Sequence, residues 1–200
     1  MTGGIASGKT TVCRILEKYG AYQLNSDDII HQLLSEDKLS IDQVVGYLGS
    51  DVVSDGKVDR GRVAEVVFSD EQKLRGLEAI LHPKLLGIIW KEYRQKIKLG
   101  LYRFFVVEMP LVQEIGKEKE FDIIVAVTCP EALAKERCTL SEREYIRRMR
   151  WQWPVEKKAR YADYAIVNDG SIKELEQQLL EFIENLWKQT RRKVPNERRE

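Results

Sequence analysis

Apolar residues along this 200-residue chain follow two periodicities. Short continuous runs at 21–24, 101–107, 121–127 and 164–167 are rich in β-branched and aromatic residues. Runs of this kind read as strands buried on both faces, the signature of a parallel sheet. Elsewhere the spacing is helical. Val12, Ile15, Leu16 and Tyr19 form one stripe; Ile41, Val44, Val45 and Leu48 another; Val63, Val66, Val67 and Phe68 begin a third. Leu74, Leu77, Ile80 and Leu81 continue it to His82-Pro83, where proline predicts a helix boundary or kink, and helix resumes over 85–97. Residues 28–100 are thus mostly helical around a Gly/Asp-rich break at 46–61, too long for a simple crossover, and predict an inserted subdomain. Leu175, Leu179, Phe182, Ile183 and Leu186 give an amphipathic helix over 172–188. Strands alternating with helices predict an α/β fold.

Composition adds bounds. With 43% hydrophobic and 32% charged residues and a net charge of +1, a soluble globular protein is expected. The near-neutral balance gives no global pull toward nucleic acid or an anionic membrane. Cys13, Cys129 and Cys138 are odd in number and contain no C-x-x-C pair, which argues for a reducing, cytoplasmic setting and against a zinc site. Cys13, within the first helical stripe, reads as core filler.

The densest chemistry is at the start. Gly3-Gly4-Ile5-Ala6-Ser7-Gly8-Lys9-Thr10 fits G-x-x-x-x-G-K-[ST], the phosphate-binding loop. Polyphosphate must meet bare backbone, and glycine removes the obstructing Cβ. Successive N–H groups and the start of the next helix then cradle the anion. Lys9 supplies a point charge and the Thr10 hydroxyl a Mg²⁺ ligand. Such a loop joins a buried strand to a helix, yet only Met1 and Thr2 precede it, and a strand needs about five residues. The first strand is expected to be a stub, with the natural protein beginning further upstream.

Three further positions carry candidate chemistry. Asp27 follows the run at 21–24, at the strand edge where ligands of open α/β sheets bind, and reads either as a base or metal ligand or as a helix cap. Glu108 ends the next apolar run on that same edge. It reads as an acid that holds Mg²⁺ or orients a substrate hydroxyl, or as a solvated strand mouth. The basic stretch 131–152, with Arg137, Arg147 and Arg148, reads as a lid or as a solvated helix face, and Trp151 and Trp153 as packing at its base. The turn at Asn168-Asp169-Gly170-Ser171 is a place where a nucleotide base could sit. Neither His31 nor His82 has a partner at metal-ligand spacing.

Together, several segments resemble the dephospho-CoA kinase family. They are Thr2-Gly3-Gly4-Ile5-Ala6-Ser7-Gly8-Lys9-Thr10-Thr11, Ser26-Asp27-Asp28-Ile29-Ile30-His31, Leu81-His82-Pro83, Pro110-Leu111, Arg148-Met149-Arg150-Trp151-Gln152 and the stretch Ala162 to Ser171. The resemblance implies a P-loop kinase-type parallel sheet flanked by helices, with ATP and dephospho-CoA as substrates and Mg²⁺ as cofactor. It implies catalytic roles for Asp27, Lys9 and Arg148, with Asp27 the base for the ribose 3′-hydroxyl. ATP would contact Gly4, Ile5, Ala6, Ser7, Gly8, Lys9, Thr10, Thr11, Asn168 and Gly170, and the metal Thr10. The acceptor would meet His31, His82, Glu108, Pro110 and Leu111. A single domain is expected: core 1–27, 101–136 and 153–190, helical acceptor-side insertion 28–100, lid 137–152, and a frayed basic tail 191–200 without a site. The expected protein is a monomer or weak homo-oligomer that binds neither nucleic acid nor membrane. Four departures from the family stand out: the truncated first strand, Asn25 for a usual aspartate, Glu108 for a frequent aspartate, and a short lid. Two alternatives remain: a small P-loop kinase acting on a nucleoside monophosphate or small alcohol, and a P-loop switch or nucleic-acid-binding ATPase.

Overall fold

The runs read as buried strands pair in parallel, as continuous apolar stretches should when both faces are covered. In the computed structural model, which describes residues 1–193 and side chains as far as residue 188, β2 (Ala21–Asn25) pairs with β5 (Phe104–Glu108) from Ala21 opposite Phe104 to Asn25 opposite Glu108. On the other side, β1 (Thr2–Gly3) pairs with β6 (Val125–Thr128), which pairs with β7 (Tyr164–Val167). Met1 joins the two halves. Its amino group donates to the Val107 carbonyl at 2.7 Å, and the Met109 N–H donates to the Met1 carbonyl at 2.9 Å. The strands therefore stand in the order β2, β5, β1, β6, β7.

Helix α1 (Lys9–Lys18) and α9 (Ile172–Lys193) cover one face, burying Val12, Leu16, Leu175 and Leu179. Cys13 lies here with no exposure, and burial pushes its thiol up to about 12, so it is core filler as expected. The other face carries α2 (Ser26–Ser35), α3 (Lys38–Leu48), α4 (Arg60–Val67) and α5 (Glu71–Leu99), around Val44, Leu81, Leu85, Ile89 and Val107. After β6 come α6 (Glu131–Arg137), α7 (Glu142–Met149) and α8 (Val155–Arg160). No helix among the described residues is long and apolar enough to cross a membrane.

Three elements depart from expectation. The break at 46–61 contains a hairpin, β3 (Val53–Ser54) and β4 (Lys57–Val58), turned by Asp55 and Gly56 at φ of 51° and 73°. Two positive φ values in a row are the mark of a type I′ hairpin turn. Pro83 does not divide α5, which runs unbroken for 29 residues. A proline there costs about 3 kcal/mol, which the burial of Leu74, Leu81, Leu85 and Ile89 offsets at about 1.5–3 kcal/mol each. β6 begins at Val125 rather than Phe121, because 121–124 lack a strand beside them where β1 is short. Of the tail expected at 191–200, residues 191–193 belong to α9 and the remainder lies outside the described residues.

A buried ion pair locks α8 to the segment after β5. Lys158 on α8 is fully buried, with Nζ 2.8 Å from Glu114 Oε1 and 2.6 Å from the Pro110 carbonyl. The same carboxylate oxygen accepts from Trp153 N–H at 2.8 Å, and the Pro110 carbonyl also accepts from the Thr2 hydroxyl at 2.8 Å. Burial lowers the Lys158 pKa, with Glu114 opposing the shift. Breaking one side of such a pair strands a buried charge. Lys158→Met should therefore cost about 3–5 kcal/mol in denaturant unfolding, and adding Glu114→Leu should recover most of that loss. A single mutant as stable as wild type would contradict the account of the pair.

Candidate active site

The glycine loop takes its shape from contacts that tolerate no Cβ. Gly3 has φ +145° and Gly8 +91°, and a Cβ would collide with the Val127 carbonyl at the first and the Asn168 side chain at the second. Ala6 also has positive φ, at 54°. The Ser7 N–H reaches the Gly4 carbonyl at 3.4 Å, closing the turn over Ile5 and Ala6, and α1 opens at Lys9. The lysine is 8% exposed and arches back over its own loop, with Nζ 2.8 Å from the Gly4 carbonyl and 3.5 Å from that of Gly3. Burial lowers its pKa, while the Glu108 and Asp27 charges oppose the shift.

Glu108, 5% exposed at the end of β5, accepts the Thr10 hydroxyl at 3.0 and 3.1 Å and the Asn25 amide at 3.4 Å. Burial raises its pKa, opposed chiefly by Lys9 and Thr10, with Asp27 adding to the rise. Glu108 therefore faces the loop's helix and is no solvated strand mouth.

The two readings of Asp27 separate here. Asn25 caps α2, its side chain accepting from Asp27 N–H at 2.8 Å. The capping role is taken, and the Asp27 carboxylate is exposed with no hydrogen bond or ion pair among the described residues. It lines the mouth of a cavity of about 270 Å³ walled by α2, α4, α5, the segment after β5 and the lid. His82, Pro110, Leu111 and Arg148 line the same cavity. Burial, then Lys117, lowers the His82 pKa.

The remaining expected residues are placed as follows. His31 is exposed on α2 and does not line the cavity; its carbonyl accepts from the Ser35 hydroxyl. Asn168, 6% exposed, spends its side-chain amide on the Ser7 carbonyl at 2.9 Å, while its own carbonyl accepts from Arg137 at 3.0 Å. It braces the glycine loop. Gly170 lies in the turn after β7, where Ser171 N–H reaches Glu174 at 2.7 Å. Arg148 is paired with Glu144 at 2.6 Å, and Arg147 lies 5.7 Å from the Phe68 ring centroid. Trp151 packs on the core and donates to the Phe68 carbonyl at 3.4 Å, and Trp153 stacks under Lys157, as the lid's base requires. Sequence reasoning missed Arg60, which lines the cavity from the first position of α4. Its only local signal is the preceding cap Asp59. It also missed the bracing by Asn168, which no spacing marks.

A glycine-rich anion cradle between the first strand and first helix of a parallel sheet, with acids at the ends of the next two strands, defines a P-loop nucleotide-binding α/β protein. The comparisons narrow the class. The family model for dephospho-CoA kinase matches residues 1–174. The chain is 38% identical over 191 residues to the dephospho-CoA kinase of Protochlamydia amoebophila, covering 93% of this chain and 94% of that protein. It is 37% identical over 191 residues to that of Aquifex aeolicus, covering 93% and 95%. Among solved structures, TT1252 from Thermus thermophilus superposes with a TM-score of 0.77 at 29% identity, covering 92% of this chain and 95% of that one. The dephospho-CoA kinase from Campylobacter jejuni gives 0.67 at 26% identity, covering 94% and 96%. The chain belongs to the dephospho-CoA kinase family, and its activity is the final step of coenzyme A biosynthesis, with ATP as the second substrate.

Because Asn168 holds the cradle rather than the reacting groups, Asn168→Ala should weaken ATP binding by about tenfold, the worth of one buried hydrogen bond. Titration with ATP checks this; an unchanged dissociation constant would show that the loop holds its shape without the brace.

Proposed function

We propose that Asp27 accepts the proton of the ribose 3′-hydroxyl of dephospho-CoA as the γ-phosphoryl group leaves ATP held by residues 4–11. One observation carries the reading. The carboxylate of Asp27 is relieved of capping by Asn25, lines the cavity, and is near enough to the glycine loop for its charge to oppose the lowering of the Lys9 pKa. Phosphoryl transfer demands positioning, charge neutralisation and an acceptor for the hydroxyl proton rather than elaborate covalent chemistry.

Lys9 exchanges its contacts with the Gly3 and Gly4 carbonyls for phosphate oxygens. The insertion 28–100 supplies most of the acceptor cavity, where His82, Pro110 and Leu111 meet dephospho-CoA. The lid 137–152 brings Arg148 to the transferring phosphate in exchange for Glu144. Asn168 serves ATP through the loop, and Gly170 leaves room beside it for the base. His31, exposed on α2, has no acceptor contact in this reading. The Thr10 hydroxyl and Glu108 carboxylate lie within 3.1 Å of each other and offer oxygen donors of the kind Mg²⁺ takes, the remainder coming from water and phosphate. Bound there, Mg²⁺ would neutralise phosphate charge. The setting proposed is cytoplasmic.

Replacing the base without touching a phosphate contact separates these roles. Asp27→Asn should lower kcat by at least about a hundredfold while leaving ATP affinity within about twofold. Lys9→Ala should impair both. Coupled ADP release with dephospho-CoA, AMP and adenosine as acceptors is the assay. Wild-type turnover by Asp27→Asn would remove the base role, and faster turnover of AMP would shift the acceptor to a nucleoside monophosphate.

A further inference from the structure

Among the described residues β7 is the last strand of its sheet, so one row of its backbone groups faces no neighbouring strand. On the inner side, Asn168 N–H donates to the Thr128 carbonyl at 2.8 Å, and the Thr128 hydroxyl donates to the Ile166 carbonyl at 3.4 Å. By alternation, the N–H and carbonyl of Val167 point to the open side. One side chain takes both. Gln178 on α9 accepts from Val167 N–H at 3.2 Å and donates to the Val167 carbonyl at 2.9 Å. Its carboxamide presents the acceptor and the donor that the backbone of a further strand would present.

One helical turn earlier, Glu174 grips the other end of the same segment. Its carboxylate accepts from Ser171 N–H at 2.7 Å and from the Ser171 hydroxyl at 2.8 Å, while Glu174 N–H reaches Ser171 Oγ at 3.3 Å. This reciprocal pair is a capping box. Residues four apart share a helix face, so α9 holds 167–171 at both ends. Between the grips lie Asn168, whose amide meets the Ser7 carbonyl at 2.9 Å, and Gly170.

Capping accounts for Glu174, because the box satisfies the first amides of α9. It does not account for Gln178. Val167 is 42% exposed, so water could satisfy its backbone groups, and a hydrogen bond that merely replaces water adds little net stability. What a two-point contact supplies is position. Val167 is one peptide from Asn168, whose bond to Ser7 is lost if the two separate by more than about 0.5 Å. A Cβ on Gly8 would collide with the Asn168 side chain, so brace and loop have no spare room either.

We propose that Gln178 is a positioning residue for ATP: by clamping Val167 it fixes Asn168 against Ser7 and so keeps the glycine loop in its anion-binding shape. This rests on the reading of residues 4–11 as the ATP cradle. α9 then serves the site through its side chains as well as covering the sheet.

The test is titration with ATP in the absence of acceptor, which makes it independent of the role of Asp27. Gln178→Met keeps length and bulk but neither hydrogen bond; it should raise the ATP dissociation constant about fivefold and speed amide exchange at Val167 by at least about fivefold. Gln178→Glu, which keeps the acceptor and loses the donor, should raise it by at least about twofold. In an Asn168→Ala background, Gln178→Met should change the constant by less than about 1.5-fold, because the two residues act in series. The KM for dephospho-CoA at saturating ATP should stay within about twofold, which a general loosening of the fold would not allow. Unchanged ATP binding by Gln178→Met beside a weakened Lys9→Ala would overturn the proposal alone. Lys9→Ala binding ATP like wild type would overturn the cradle reading and the proposal with it. Equal weakening by Gln178→Met in both backgrounds would overturn the route through Asn168.

Discussion

The carboxylate of Glu108 receives the hydroxyl of Thr10 and the amide of Asn25, and on that contact the site depends. It ties the end of β5 to the start of α1 and the end of β2. Because the strands are parallel, their carboxyl ends share one edge, where open α/β sheets gather ligands. The glycine loop, Asp27 and Glu108 therefore meet although distant in sequence. Burial raises the Glu108 pKa while Lys9 and Thr10 hold it down. The carboxylate is an acceptor set in a desolvated place, the state in which an oxygen ligand or hydrogen bond counts for most.

The walls around this edge are fastened unevenly. Lys158, Glu114 and the Pro110 carbonyl form a buried knot that joins α8, the segment after β5 and the first strand. Arg148, by contrast, is held by one partly exposed pair with Glu144, the kind of contact worth about 1 kcal/mol or less. A firm base beneath lightly held arginines is what the lid role proposed for 137–152 requires.

Legibility in the sequence tracked the range of the interaction. The glycine loop is local, and its spacing alone gave its conformation and chemistry. The strand ends at Asp27 and Glu108 were legible because buried strands are continuous apolar runs. What failed depended on contacts from afar. Four cap-type residues stand in a row from Asn25 to Asp28, and only the folded geometry selects Asn25 as the cap. Pro83 reads as a break until the burial of Leu81 and Leu85 is weighed against it. The bond from the Asn168 amide to the Ser7 carbonyl likewise joins residues too far apart in sequence for any spacing to mark it. His31 shares α2 with Asp27, yet residue type does not decide whether a helical position faces a cavity or solvent. The Lys158 and Glu114 pair has no local signature at all.

The most direct measurement is a crystal structure with a non-hydrolysable ATP analogue and dephospho-CoA bound together. The account predicts the γ-phosphate in the cradle of residues 4–11 and the ribose 3′-oxygen within about 2.6–3.2 Å of an Asp27 carboxylate oxygen, directly or through one water. A 3′-oxygen facing another base, with the Asp27 carboxylate turned to solvent, would contradict it.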